Sequence, residues 1–141
     1  MPFVVPTPMS APPRRPSVLT TAAGALMVQG ILRGLAGALV FSLQGSPATS
    51  QLPSTVAGTS RVVGVVFLLL AAIELIAGSL VLRLSGAGRG LGLLLAGGEV
   101  LYGFKLLLDG NGTAALAIGV NLFLIYALST TGDVFARARR R

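Results

Sequence analysis

The sequence predicts an all-α integral membrane protein folded as a four-helix antiparallel bundle. Of its 141 residues, 53% are apolar and only 11% are charged, whereas soluble domains average about 25% charged residues. The mean hydropathy is +0.84. Four apolar runs of roughly 17 or more residues are separated by short polar segments, and a transmembrane helix needs about 20 such residues.

The four predicted spans comprise residues 18–43, 62–82, 91–108 and 113–129. The first is longer than the roughly 7–15 apolar residues of a signal peptide, so we expect a retained, tilted helix. An uncharged loop over 44–60, a basic turn over 83–90 and the turn dipeptides at Asp109–Gly112 connect the spans. Such short connections place consecutive helices side by side and antiparallel.

The two ends of the chain differ in composition from the 18–131 transmembrane domain. Residues 1–17 hold six of the eight prolines and are predicted to be a disordered cytoplasmic tail. Residues 132–141 form a basic cytoplasmic tail.

The basic residues predict the orientation in the cell membrane. Eight of them fall on one side of a four-span chain, namely Arg14, Arg15, Arg83, Arg89, Arg137, Arg139, Arg140 and Arg141. The opposite side holds Arg61 alone, while Arg33 and Lys105 lie within spans. By the positive-inside rule both termini are therefore cytoplasmic, and the eight arginines serve as topology anchors or contact anionic lipid head groups.

Absent residue types exclude several classes of activity. The chain has no Cys and no His, and its only acidic residues are Glu74, Glu99, Asp109 and Asp133. These absences remove thiol redox chemistry, His-ligated metals and a His general base. We therefore predict no enzyme, no metal site and no cofactor. The net charge of +7 sits largely at span ends, which favours the lipid bilayer over nucleic acid as a partner.

Two short motifs are interpreted as turns. The glycine-rich run at residues 86–92 resembles a phosphate-binding loop, but it lacks the preceding strand and the glycine spacing that such a loop needs. Asn111-Gly112-Thr113 matches a glycosylation sequon but lies between two closely spaced spans.

Small residues four apart predict close helix packing at Gly30/Gly34, Gly88/Gly92 and Ala115/Gly119.

A layer of polar side chains near the membrane midplane is the main candidate site. At a rise of about 1.5 Å per residue, one polar residue of each span lies about 14–16 Å from the cytoplasmic end of its helix. These residues are Gln29, Glu74, Glu99 and Asn121, and Arg33 lies one turn above Gln29. Small residues share the helix face of each one, which favours a helix interface over a lipid-facing surface.

The charges of this layer do not balance. Two carboxylates face one guanidinium, so we expect one glutamate to pair with Arg33. The other is expected to be protonated at neutral pH and hydrogen-bonded to Gln29 or Asn121. The layer is either a proton or ion site or a set of polar contacts that fixes helix register.

Several segments resemble those of small four-span integral membrane proteins of actinobacteria, most of them uncharacterised. The likeness covers most of residues 14–137 and is carried by Arg15–Thr20, Glu74–Gly78, Arg83, Arg89, Asn121, Tyr126–Leu128 and Phe135. Those proteins usually have a Trp and more arginines in the basic turn, which this chain lacks. The resemblance implies the four-span topology and no particular activity.

For function, the sequence favours a non-enzymatic subunit, scaffold or partner-binding bundle, acting with another membrane protein or as a homo-oligomer. The alternative is a small proton-linked or cation transporter that uses Glu74 and Glu99.

The topology prediction is testable because the chain has no Cys of its own. Single cysteines introduced at Ser10 and at Ser50 should react with a membrane-impermeant reagent from opposite sides, with Ser50 outside. Labelling of both positions from the same side would contradict the four-span arrangement.

Overall fold

The computed structural model describes residues 16–43 and 54–139, with the side chains of residues 54–59 and 139 excepted. This part of the chain is all-helical. It forms α1 (Ser17–Leu43), α2 (Ser54–Leu82), α3 (Gly86–Leu108), α4 (Ala114–Thr130) and α5 (Gly132–Arg139). The all-α prediction is thereby confirmed.

Three helices are long and apolar enough to cross a membrane: α1, the Ser60–Leu82 portion of α2, and α3. The 17-residue α4 meets α5 at a 50° bend, and the two together pass the same test as one bent span. The described residues therefore contain three candidate spans, or four when the bent pair is counted, which is consistent with a multi-pass membrane protein.

Three helix boundaries differ from the sequence-based expectation. The predicted loop over 44–60 is helical from Ser54 onward, while residues 44–53 lie outside the described part. The predicted turn over 83–90 shrinks to three residues because α3 already begins at Gly86. The predicted tail over 132–141 contains α5. In each case the helix includes residues that are less apolar than the span, so a boundary drawn from hydropathy excluded them.

The C-terminal ends of α2 and α3 have the same hydrogen-bonding pattern. The residue with a left-handed backbone conformation is a leucine after α2 and a glycine after α3. After α3, Gly110 has φ +90° and Asn111 N–H donates to the Leu106 carbonyl. After α2, Leu84 takes that position with φ 55°, and Ser85 N–H donates to the Leu80 carbonyl. Glycine is the usual residue at such a cap. Leu84 instead packs its side chain against the hydrophobic core.

The helices pack as two hairpins that meet along α2 and α3. The α1–α2 and α3–α4 pairs have the most extensive contacts, and α1 touches α4 less. The hydrophobic core lies toward the end where α1 begins and α4 ends. Its members are Leu19, Ala22, Ala23, Leu26, Ala77, Val81, Ala96, Leu124, Ala127, Leu128 and Phe135.

Two of the three predicted small-residue pairs lie at helix contacts. A Cβ atom placed on Gly30 would lie 3.0 Å from the Ala71 carbonyl oxygen. One placed on Gly88 would lie 2.6 Å from the Leu80 carbonyl carbon, so only glycine fits there. The third pair, Ala115 and Gly119, is exposed in the isolated chain.

Replacing Gly88 by Ala should destabilise the protein by about 1–3 kcal/mol, because the α2 and α3 backbones must separate to admit the methyl group. Gly90 is the matched control, since it lies in the same turn of α3 with no atom within 4 Å of an added Cβ. Gly90→Ala should be neutral or stabilising by up to about 1 kcal/mol. Equilibrium unfolding in detergent measures both, and equal effects would contradict the close approach.

Candidate functional site

The centre of the candidate site is an ion pair between α1 and α2. Arg33 Nη1 lies 2.5 Å from Glu74 Oε1. The helices run antiparallel, and Gly30 packs against Ala71 and the Glu74 Cβ atom. Side chains lean toward the N-terminus of their own helix, so Arg33 and Glu74 lean toward one another from adjacent turns. The ion pair therefore forms although Arg33 and Glu74 do not lie directly opposite each other.

A second carboxylate reaches the same guanidinium from α3. Arg33 Nη2 lies 2.8 Å from Glu99 Oε1. The two terminal nitrogens of Arg33 thus contact carboxylates on different helices, and one side chain links α1, α2 and α3. We call Arg33, Glu74 and Glu99 the charge triad.

The members of the charge triad differ sharply in exposure. The Glu74 side chain is 1% exposed, whereas those of Arg33 and Glu99 are 17% and 20% exposed. Glu74 Oε2 is fully buried and has no hydrogen-bond partner in the described part of the protein. A carboxylate oxygen without a donor is costly in an apolar interior. Burial and lack of a partner therefore coincide at this one atom.

The two predicted amides take no part in the charge triad. Asn121 is buried on α4, but its Nδ2 donates to the Ala117 carbonyl of its own helix. Gln29 is half-buried on α1, and its side chain forms no hydrogen bond with the described residues. The expectation that the second glutamate bonds to an amide differs from the structure, where Arg33 is long enough to reach both carboxylates.

Lys105 lies apart from the charge triad at the far end of α3. Its Nζ lies 2.7 Å from Asp109 Oδ2, one turn onward, and both side chains are mostly exposed. The Lys105 side chain therefore ends at an exposed position, as long cationic side chains commonly do.

Arg89 makes a structural contact that the sequence analysis missed. Its Nε donates to the Leu128 carbonyl at 2.8 Å, and its Nη2 contacts the Ser129 carbonyl at 3.5 Å. A cation at a helix C-terminus pairs with carbonyls that have no partner inside the helix. Arg89 therefore caps α4 where the chain bends into α5, and Gly132 lies against its guanidinium. The sequence offered one signal for this contact: the predicted 83–90 turn, which contains Arg89, lies on the same side of the protein as the end of span 4.

The remaining predicted anchors are only partly described. Arg83 is exposed and lines a cavity of about 410 Å³ with residues 84–87 and Ala138. Arg137 is exposed, and its Nε donates to the Asp133 carbonyl at 3.3 Å. The side chain of Arg139 and the whole of Arg14, Arg15, Arg140 and Arg141 lie outside the described residues.

Within the described ranges, no group of three or more His, Cys, Asp or Glu side chains is placed to hold a metal ion. Comparison with protein-family models, curated proteins and solved structures finds no match for this chain.

Replacing Arg33 by Leu should destabilise the protein by about 3–5 kcal/mol, because the mostly buried acidic groups of Glu74 and Glu99 then lose the guanidinium that contacts both. Lys105→Leu is the matched control, since it breaks an exposed pair on α3 and should cost less than about 1 kcal/mol. Denaturant unfolding of the detergent-solubilised variants measures both values. Equal losses would show that the charge triad does not hold the helices together.

Proposed function

We propose that this chain is a four-span integral membrane protein of the cell membrane, folded as an antiparallel bundle. The three long apolar helices support the proposal, and α4 adds a fourth span of about 26 Å at 1.5 Å per residue. A hydrocarbon core about 30 Å thick is crossed by helices of roughly 17–25 residues. In this arrangement α5 follows the fourth span at the membrane surface.

The proposed orientation has both termini in the cytoplasm. Arg83, Arg89 and Arg137 gather where α2 and α4 end and α3 begins, whereas the far end of α3 carries the neutral Lys105–Asp109 pair. Arginines concentrate on the cytoplasmic side of membrane proteins. The same assignment places the Asp109–Thr113 turn outside.

The proposed role is that of a non-enzymatic subunit, scaffold or partner-binding bundle. The observation that carries it is the partial exposure of Arg33 and Glu99 in the middle of their helices. A charged side chain at the bilayer centre costs at least about 2.5–3.5 kcal/mol. Contact with a further transmembrane helix, from another protein or a second copy, removes the exposed charged atoms from lipid.

A second candidate function is proton-linked or cation transport. It is favoured by the charge count of the triad, where two carboxylates share one guanidinium. Ionisable side chains within membrane spans frequently mark ion pathways. This role requires a change in the protonation or ligation of a triad carboxylate during each transport cycle.

The partner-binding role is tested by photo-cross-linking in native membranes. A photoreactive residue replacing Tyr102, three positions after Glu99 on α3, should give a discrete cross-linked protein. The matched control replaces Leu69, which is equally exposed (59% against 58%) but lies about 140° around α2 from Glu74. Strong cross-linking only at Tyr102 is the expected outcome.

Two measurements separate this role from transport. If the protein is a partner-binding bundle, Glu74→Gln should fold and keep the Tyr102 cross-link. If it is a transporter, purified protein in vesicles should carry protons or cations, and Glu74→Gln should fold yet abolish that flux. Equal cross-linking at Tyr102 and Leu69 together with such a flux would overturn the proposed role.

A further inference from the structure

The charge triad holds one more acidic than basic group, and no other ionisable side chain of the spans compensates for it. Span residues 18–43 contribute only Arg33, and 113–129 contribute no Asp, Glu, Lys or Arg. Lys105, the one cation of span residues 91–108, is paired with Asp109. The groups that face Glu74 are Arg33 from α1 and Glu99 from α3, while α4 offers only Asn121, whose amide donates to its own helix.

The unmatched charge has a definite location. Arg33 donates to one oxygen of each carboxylate, so Glu74 Oε1 and Glu99 Oε1 are both partnered. Glu99 is 20% exposed, so polar groups of a partner can reach it, whereas Glu74 is 1% exposed and enclosed. Glu74 Oε2 is enclosed without any donor in the described part of the chain. An ionised carboxylate accepts hydrogen bonds at both oxygens, which this surrounding does not provide.

We propose that Glu74 binds a single proton on Oε2 at neutral pH, so that the charge triad contains one neutral acid and one Arg33–Glu99 ion pair. The proton comes from water, with an O–H bond forming at Oε2, and it returns to water on release. Neither step needs another reactant. The inference rests on the proposed membrane placement of the triad, and it holds whether the bundle binds a partner or transports.

A proton fits this position better than a metal ion does. Metal ions such as Na⁺ and Ca²⁺ require several oxygen ligands around them. The described residues contain no group of three or more His, Cys, Asp or Glu side chains placed to hold a metal ion, and Arg33 places a fixed positive charge beside Glu74 and Glu99. A proton binds to a single oxygen and makes Glu74 neutral, which lowers the cost of burying this side chain.

Infrared difference spectroscopy of the purified full-length protein tests the proposal. The chain contains only two glutamates, so ¹³C-glutamate labelling shifts any carboxylic-acid band that arises from Glu74 or Glu99 and leaves the aspartates unshifted. The difference is taken between labelled and unlabelled protein at the same pH, between about pH 6 and about pH 8, where a free glutamic acid is ionised. In the wild type the intensity of the shifted carboxylic-acid band should correspond to one glutamate. That band should be absent from Glu74→Gln and unchanged in the control Asp109→Asn.

Hydrogen–deuterium exchange of the band keeps the test decisive if Glu74→Gln does not fold. A proton on Glu74, which is 1% exposed, should exchange slowly in the wild type, and more slowly than one on Glu99, which is 20% exposed. The proposal is overturned if the wild type lacks a glutamic-acid band in this range, if a folded Glu74→Gln keeps it, or if the band exchanges at once. Loss of the Tyr102 cross-link with the band intact would instead overturn the partner-binding role alone.

Discussion

The packing of α1, α2 and α3 depends on one arginine that contacts two acidic side chains at a mostly buried position. These contacts form only while Arg33, Glu74 and Glu99 remain at matching heights. Rotating α1 by one residue would turn Arg33 about 100° away from both partners. The ion pairs therefore fix the rotation and the register of three helices, which nonspecific apolar packing leaves loosely defined.

Small residues bring the helix backbones close enough for the short glutamate side chains to contact Arg33. Gly30 lets α1 approach the backbone of α2 beside Glu74, and Gly88 lets the start of α3 approach the end of α2. A glutamate side chain is too short to bridge widely spaced helices, whereas the longer arginine spans to two neighbours. The glycines and the charge triad are thus parts of one arrangement, in which close backbones bring the carboxylates within range of a single guanidinium.

The sequence predicted the helices, the members of the polar layer and the pairing of Arg33 with a glutamate, but not the second glutamate on Arg33 or the contact of Asn121. Hydropathy and the rise per residue determine the height of a side chain, and these placed Glu74 and Glu99 near one level, with Arg33 about one turn above Gln29. The hydrogen bonds depend also on azimuth and on side-chain length, which is why Asn121 bonds to its own helix while Arg33 reaches two carboxylates. The early start of α3 and the helical α5 were missed because their residues are less apolar than the spans.

Two arginines connect the helices at different heights. Arg33 joins α1, α2 and α3 through carboxylates, whereas Arg89 joins α3 to the end of α4 through backbone carbonyls. The fourth helix is therefore outside the charge triad, and it meets α3 through Arg89 and through apolar contacts such as Ile118 against Gly103. A change of charge at Glu74 acts directly on α1 and α3, and it reaches α4 only indirectly, through the contacts of α4 with those two helices. Any response to a proton or a partner at the charge triad should accordingly begin where α1, α2 and α3 meet, and not within the α3–α4 hairpin.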